Sequence, residues 1–316
     1  MKEQLSKICY IGVDIGGTAI KSGLISSSGL LLHFHKRSMR NINKHQEIVE
    51  LLFEIITDLL NWASKEKYIV NGIGVGSPGR VNVNSGKILG QPVNISDWTE
   101  INLREYIQSR FNLPTIIDND ANMATLGEYF HGNGKNFKNM IFITLGTGIG
   151  GGIVVDGKLI RGSHFAGGEL GHITIDYQGL PCICGGIGCW EQYASASALV
   201  HFYNIKSKSP VESAYKFFER IVLGEELAEK VLNDYYKYIG IGLISFINIF
   251  DPEAIIFGGG ISESEIFQLS EIKNLVIKNT LSGGEIEFLK ASLGNKAGII
   301  GAAELIKHQV KYATII

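Results

Sequence analysis

Two stretches of this chain share one design. "YIGVDIGGTAIKSGLI" (residues 10–25) and "MIFITLGTGIGGGIVV" (140–155) each read as an apolar strand, a polar residue, a tight glycine turn and a second strand. At an offset of 130, Asp14 falls opposite Thr144 and Gly16 opposite Gly146. A duplication of this kind predicts two like-folded domains, each offering one hairpin to a shared cleft. Strand and turn chemistry recur widely, so a chance match over one hairpin stays open. The 316 residues suffice for two cores. Glycine, 39 residues in all, gathers in loops, several of them after short β-branched runs. Strand, glycine loop, then helix or returning strand indicates an α/β protein. Residues 44–66 carry apolar positions at helical spacing, and 225–250 reads as a second long helix halted before Asp251-Pro252.

Composition excludes several classes of partner. Net charge is −2 with no run of Lys or Arg, so the electrostatic footprint of a binder of nucleic acid or anionic membrane is missing. Small-molecule partners are expected instead. The chain enters a strand within its first ten residues, which leaves no room for a signal peptide and predicts a cytoplasmic protein. The apolar stretch at 238–250 is shorter than the roughly 20 residues of a membrane span and reads as a buried helix.

The stretch "GHITIDYQGLPCICGGIGCWEQ" (171–192) concentrates metal-binding chemistry. Three of the four cysteines sit within eight positions, and in a cytosolic chain that clustering argues for metal over disulfides. His172, Cys182, Cys184 and Cys189 supply one imidazole and three thiolates, a complete tetrahedral set for Zn²⁺. With four protein ligands no position is left for water, so the zinc is structural. CxC spacing is not the CxxC of redox sites, and buried cysteines acting as small hydrophobes fit poorly with flanking glycines. A closed zinc site would fix the loops carrying the neighbouring acids Glu169 and Glu191.

Glycine turns can bring backbone N–H groups to phosphate oxygens, because no Cβ blocks the approach and positive φ is permitted. Each of these turns also reads as a plain hairpin. "GTGIGG" (146–151) matches the dinucleotide fingerprint, but a β-branched run and an Asp156-Gly157 turn follow where a helix is required. A Walker A loop is absent too, since Gly86-Lys87 precedes Ile88 rather than a hydroxyl residue. "PTIIDNDANMATLGEYF" reads as a strand ending near Asp118 and a helix from about Ala121, leaving Asp120 at the junction. There it serves either as a general base or as a helix cap.

"DIGGT" (14–18), "NDAN" (119–122), "LGTGIGGG" (145–152), "GGELGH" (167–172), "CxCGxxGCxE" (182–191) and "IIFGGG" (255–260) occur in the order and spacing of the ROK family, which the whole chain resembles. That family groups bacterial sugar kinases, N-acetylhexosamine kinases and some transcriptional repressors. The resemblance implies an actin-like, hexokinase-like, ribonuclease H-like fold of two α/β domains, with ATP and sugar meeting in an interdomain cleft. The expected division is a small domain of residues 1–117 plus 299–316, and a large one of 118–298 that carries the zinc motif and a homodimer interface. The last helix, 297–310, is expected to return to the first domain.

The resemblance makes Asp120 the base that takes the proton of a sugar 6-hydroxyl. It places Glu169, His172 and Glu191 on the sugar, with Asn119 and Gly79, and gives His172 both zinc and sugar to contact. Asp14 would help place Mg²⁺ and phosphates beside Gly16, Gly17, Thr18 and Lys21. Gly146, Thr147 and Gly148 would hold phosphate, with Gly258, Gly259 and Gly260 close to the nucleotide. Asn94 and Trp98 resemble a loop of bacterial glucokinases, with one extra residue between them. Gly79 and Arg80 resemble a run of N-acetylmannosamine kinases, although Arg80 reads equally as a solvated loop arginine. Glucose is the expected substrate, with N-acetylmannosamine, N-acetylglucosamine and fructose as alternatives. A non-catalytic sugar sensor is the rival from another class; ROK repressors carry a helix-turn-helix module before the kinase-like body, and none is expected here.

Overall fold

The computed structural model describes residues 7–40, 42, 44–90, 92, 95–282 and 284–313, the last two by backbone alone. The chain divides into two compact units, one of Met1–Lys135, Arg161–Gly167 and Asn295–Ile316, the other of Asn136–Ile160 and Gly168–Gly294.

The first unit contains β1 (Ile8–Ile15), β2 (Ala19–Ser26), β3 (Leu31–Ser38), α1 (His45–Lys65), β4 (Ile69–Ser77), the short β5 (Val81–Asn82) and β6 (Lys87–Ile88), α2 (Leu103–Phe111), β7 (Thr115–Asn119) and α3 (Asp120–His131). Its main sheet has the order β3-β2-β1-β4-β7, antiparallel through β3, β2 and β1 and parallel from β1 to β7. The second unit contains β8 (Met140–Leu145), β9 (Ile149–Val155), β10 (Lys158–Leu159), α4 (Glu191–Ala194), α5 (Ala196–Asn204), α6 (Ala214–Val222), α7 (Glu226–Phe250), β11 (Ala254–Gly258), α8 (Gly260–Glu263), α9 (Leu269–Ile277) and β12 (Glu287–Lys290). Its sheet runs β10-β9-β8-β11-β12 with the same sequence of antiparallel and parallel pairings.

The two hairpins noticed in the sequence are therefore β1-β2 and β8-β9, and β2 begins at Ala19 where β9 begins at Ile149. The duplicated design extends to whole sheets. After Gly151 the chain turns at Asp156-Gly157, both at positive φ, into β10, so the fingerprint-like glycines lie in a hairpin.

Apolar periodicity explains the covering helices. α1 buries Ile48, Val49, Leu52, Ile55, Ile56, Leu59 and Ala63 as one stripe, each large side chain contributing roughly 1.5–3 kcal/mol. The final helix, α10 (Ala297–Ala313), packs on β1, β4 and α3 of the first unit. Its approach depends on Gly12, where a Cβ would lie 1.9 Å from the Ile299 carbonyl oxygen. The 238–250 stretch is the end of α7, buried at Ile239, Leu243, Phe246 and Ile247 but exposed at Ile241 and Ile249. Among the described residues no helix is long and apolar enough to cross a membrane.

Candidate active site and metal centre

The β7–α3 junction shows which of two adjacent polar residues caps the helix. Asn119 is the N-cap, its Oδ1 accepting from the backbone N–H of Ala121 at 2.9 Å and of Asn122 at 3.1 Å. Asp120 is the first residue of α3, half-buried, its Oδ1 accepting from the Ala121 N–H at 2.9 Å. A carboxylate in the first turn is favoured by the helix dipole, and Asn119 already performs the cap's task. The Asn119 Nδ2 donates to the Gly79 carbonyl at 3.1 Å, which joins two sequence-predicted residues and leaves one amide hydrogen for a ligand. Arg80 is exposed, with its carbonyl accepting from Leu89 N–H at 2.7 Å. Asn94 lies outside the described residues. Trp98 is fully buried, its Nε1 donating to Ser77 Oγ at 2.9 Å, so it anchors the loop after β4 from inside the core.

At the end of β1, Asp14 pairs across the hairpin with Lys21, whose Nζ lies 3.4 Å from Asp14 Oδ2. Burial raises the Asp14 carboxyl above the usual carboxylate range, and Lys21 opposes the shift. An acid with a raised folded pKa stabilises the fold below its ordinary pKa, and that contribution is lost as pH rises through the raised value. Asp14→Asn is therefore expected to raise the melting temperature of the ligand-free protein more at pH 7 than at pH 4. Melting curves at the two pH values check this; an equal shift at both would count against it.

The second hairpin offers the matching turn. Gly146 N–H donates to Gly148 carbonyl at 3.0 Å, and the Gly146 carbonyl accepts from Ala196 N–H at 2.8 Å. Gly16, Gly146 and Gly148 do not use positive φ; a Cβ at Gly16 would crowd the Ala19 carbonyl oxygen at 3.2 Å, whereas at Gly146 nothing lies closer than 3.9 Å. Gly258 pairs with Thr144 in the sheet, and Gly259, at φ 88, would place a Cβ 2.4 Å from the Leu145 carbonyl oxygen. That contact sets the 258–260 glycines beside the strand feeding Gly146, Thr147 and Gly148.

In the same unit, His172 Nδ1 lies 3.7 Å from Cys182 Sγ, Cys184 Sγ lies 3.6 Å from Cys189 Sγ, and the four ligand atoms all fall within 4.8 Å of one another. Tetrahedral zinc with Zn–S bonds near 2.3 Å holds its sulfurs about 3.8 Å apart, so this donor set fits one closed Zn²⁺ site. The loop is shaped by Gly188, at φ 69, where a Cβ would strike the Asp176 carbonyl oxygen. Burial pushes the Cys189 thiol up to about 12 and raises Cys182, whereas the Gly186 N–H lowers Cys184. A metal must displace these protons to bind.

Glu191 joins the cluster to the hairpin. Its Oε1 accepts from Cys182 Sγ at 3.2 Å, and its Oε2 faces Ile149 N–H at 3.5 Å. A Cβ on Gly148 would sit 2.6 Å from that Oε2. Glu169 is exposed and precedes the 3-10 turn Leu170–His172, its carbonyl accepting from His172 N–H at 3.1 Å. With Nδ1 turned to the thiols, the Nε2 of His172 lies across the ring from the metal ligands.

A model described as the ROK family matches residues 10–309. The chain belongs to the ROK family. This ROK chain is 37% identical over 317 residues to a glucokinase of Streptomyces coelicolor, covering 94% of this chain and 97% of that one. It is 33% identical over 301 residues to a xylose repressor of Bacillus spizizenii, covering 94% of this chain and 76% of the repressor. A solved ROK family glucokinase from Streptomyces griseus, in complex with glucose and AMPPNP, matches with 34% identity and a TM-score of 0.79 over 94% of this chain and 98% of that one. The ROK fold is thereby shown as the actin-like, two-domain α/β fold.

Two charged residues of this ROK chain escaped the sequence reading. Asp118, 1% exposed, accepts from Arg161 Nε at 2.7 Å beside the proposed base. The partners are 43 positions apart. The one local signal was an acidic residue closing an apolar strand.

Proposed function

We propose that this ROK chain is an ATP-dependent hexose kinase acting on the 6-hydroxyl of a sugar, glucose first, with N-acetylmannosamine, N-acetylglucosamine and fructose as alternatives. The observation that carries it is Asp120 standing in the first turn of α3 with the cap supplied by Asn119. Support comes also from the 37% identity to a glucokinase along 94% of the chain.

Asp120 would take the hydroxyl proton as the sugar oxygen attacks the γ-phosphorus; the bond from phosphorus to the bridging oxygen breaks and ADP leaves. A positioned base contributes about 10²- to 10⁴-fold, the rest of phosphoryl transfer being geometry and charge neutralisation. Glu169 and Glu191 would accept from sugar hydroxyls, since carboxylates are acceptors only, and His172 Nε2 would join them. Gly79 and Asn119 would shape the sugar side near Asp120, with Arg80 and Asn94 further candidates. Backbone N–H groups of Gly17, Thr18, Thr147 and Gly148 would hold phosphates, with Gly16 and Gly146, whose N–H groups donate to the Ala19 and Gly148 carbonyls, shaping the two turns, Gly258–Gly260 alongside and Lys21 supplying positive charge. Mg²⁺, when bound, neutralises phosphate charge, and Asp14 carries a carboxylate suited to placing it. The zinc would hold the loops of Glu169 and Glu191 and take no part in the reaction. We extend the proposal to a homodimer, which sedimentation tests.

ADP release from Mg-ATP, measured against glucose, N-acetylmannosamine, N-acetylglucosamine, fructose, mannose and allose, tests the assignment. One preferred hexose is expected. The 33% identity to a xylose repressor favours a second reading, a sugar sensor; sugar binding without ADP release on any member of the panel would select it.

A further inference from the structure

Asp118 is a charge where a buried strand position ordinarily holds an apolar side chain: it lies near the C-terminal end of β7, the edge strand paired parallel to β4, at 1% exposure. Its two oxygens are divided. Oδ1 accepts from the Asn119 N–H at 2.7 Å and from Asn122 Nδ2 at 3.0 Å, and Oδ2 accepts from Arg161 Nε at 2.7 Å. One carboxylate therefore ties the peptide just ahead of Asp120, the first turn of α3 and a distant arginine.

Arg161 opens the excursion Arg161–Gly167, in which the chain packs with the first unit although the residues on both sides belong to the second. The excursion closes on itself, Gly167 N–H donating to the Arg161 carbonyl at 2.9 Å. The arginine is thus held at its backbone as well as at its head, and its side chain is 23% exposed.

A buried ion pair adds little net stability compared with apolar residues of the same volume, so its effect is sought in geometry. Without Arg161, the Asp118 carboxylate would be free to rotate toward solvent and release the Asn119 N–H and the Asn122 amide. We infer that Arg161 is a positioning residue for the base: acting through Asp118, it sets the peptide of Asn119 and the first turn of α3, and with them the direction in which Asp120 presents its carboxylate. This role rests on the reading of Asp120 as the base of a sugar kinase.

The test compares wild type, Asp120→Asn, Arg161→Met, Arg161→Lys and the double variant Asp118→Asn/Arg161→Met by ADP release, with melting curves for each. Arg161→Met is expected to lower kcat about 10- to 100-fold, the scale of a misplaced catalytic group, with KM for ATP and sugar changed less than about threefold. Arg161→Lys returns a cation to Asp118 and recovers most of the loss. The double variant contains no unpaired buried charge, so it melts near wild type yet remains slow. A double variant that both melts and turns over like wild type would overturn the inference. So would Arg161→Met melting lower with kcat unchanged, which leaves Arg161 a purely structural residue. If Asp120→Asn is inactive while Arg161→Met keeps wild-type kcat, the inference alone fails; if wild type releases no ADP on any sugar, the kinase reading falls and takes the inference with it.

Discussion

Asp120→Asn lowers ADP release by about 10²- to 10⁴-fold while the protein melts within about 2 °C of wild type. Both halves of this expectation come from the β7–α3 junction. The cap of α3 is built by Asn119 Oδ1 on the N–H groups of Ala121 and Asn122, so amidating Asp120 removes no cap. It takes away a favourable charge in the first turn, about 0.3–1 kcal/mol. The lost property is basicity: an amide oxygen accepts a hydrogen bond but does not take the proton. Asn119→Ala provides the contrast, since it strips the cap, about 0.5–2 kcal/mol, and also the bond to the Gly79 carbonyl. Calorimetry and the coupled assay on both variants separate the roles. Were Asp120→Asn to melt several degrees lower and turn over normally, Asp120 would be a structural residue.

Zinc removal has the second large effect. Metal analysis is expected to find one Zn²⁺ per chain, and chelation or Cys184→Ser/Cys189→Ser to raise the sugar KM at least about tenfold, by analogy with the loss of groups that orient ligands. Melting temperature falls with it, because a structural zinc contributes apparent binding free energy of about 10 kcal/mol or more to its folded loops. The loss reaches beyond the loop. Leu170 and Trp190 flank the ligands and are 2% and 0% exposed within the core of the second unit, so slackening the loop uncovers apolar surface there. Glu191 loses its place as well, since its Oε1 faces Cys182 and its Oε2 the Ile149 N–H. Because the thiols of Cys182 and Cys189 hold their protons firmly in the metal-free protein, protons compete with the metal and retention weakens as pH falls. Added Zn²⁺ should restore binding and Mg²⁺ should not. A zinc-free protein with unchanged melting and unchanged sugar affinity would refute the structural role.

Much of this was legible in the sequence wherever its cause is local. The duplicated hairpins could be read at an offset of 130 because an apolar run, a polar residue and a glycine turn are specified within sixteen residues. The candidate metal cluster could be read because ligand chemistry and short spacing suffice to nominate His172, Cys182, Cys184 and Cys189. α1 and α7 followed from helical spacing of apolar residues. The ROK motifs carried the rest of the expected site.

Other features were decided only by tertiary structure. Asn119 and Asp120 are both good cap residues, and which one caps depends on where β7 ends and how its peptides turn. Trp98, expected from its resemblance to belong to a sugar loop, is a core residue bonded to Ser77, a contact 21 positions away. The hairpin glycines at 16, 146 and 148 suit either handedness by composition, and folding left them at ordinary φ. Arg161 and Asp118 meet because residues 161–167 pack with the first unit, which no spacing rule encodes. Hairpin turns and metal motifs are settled among neighbours in sequence, so the sequence by itself determined them. The pairing of a buried charge, or the choice of which side chain enters a core, depends on burial created by distant segments, and only the folded chain supplies it.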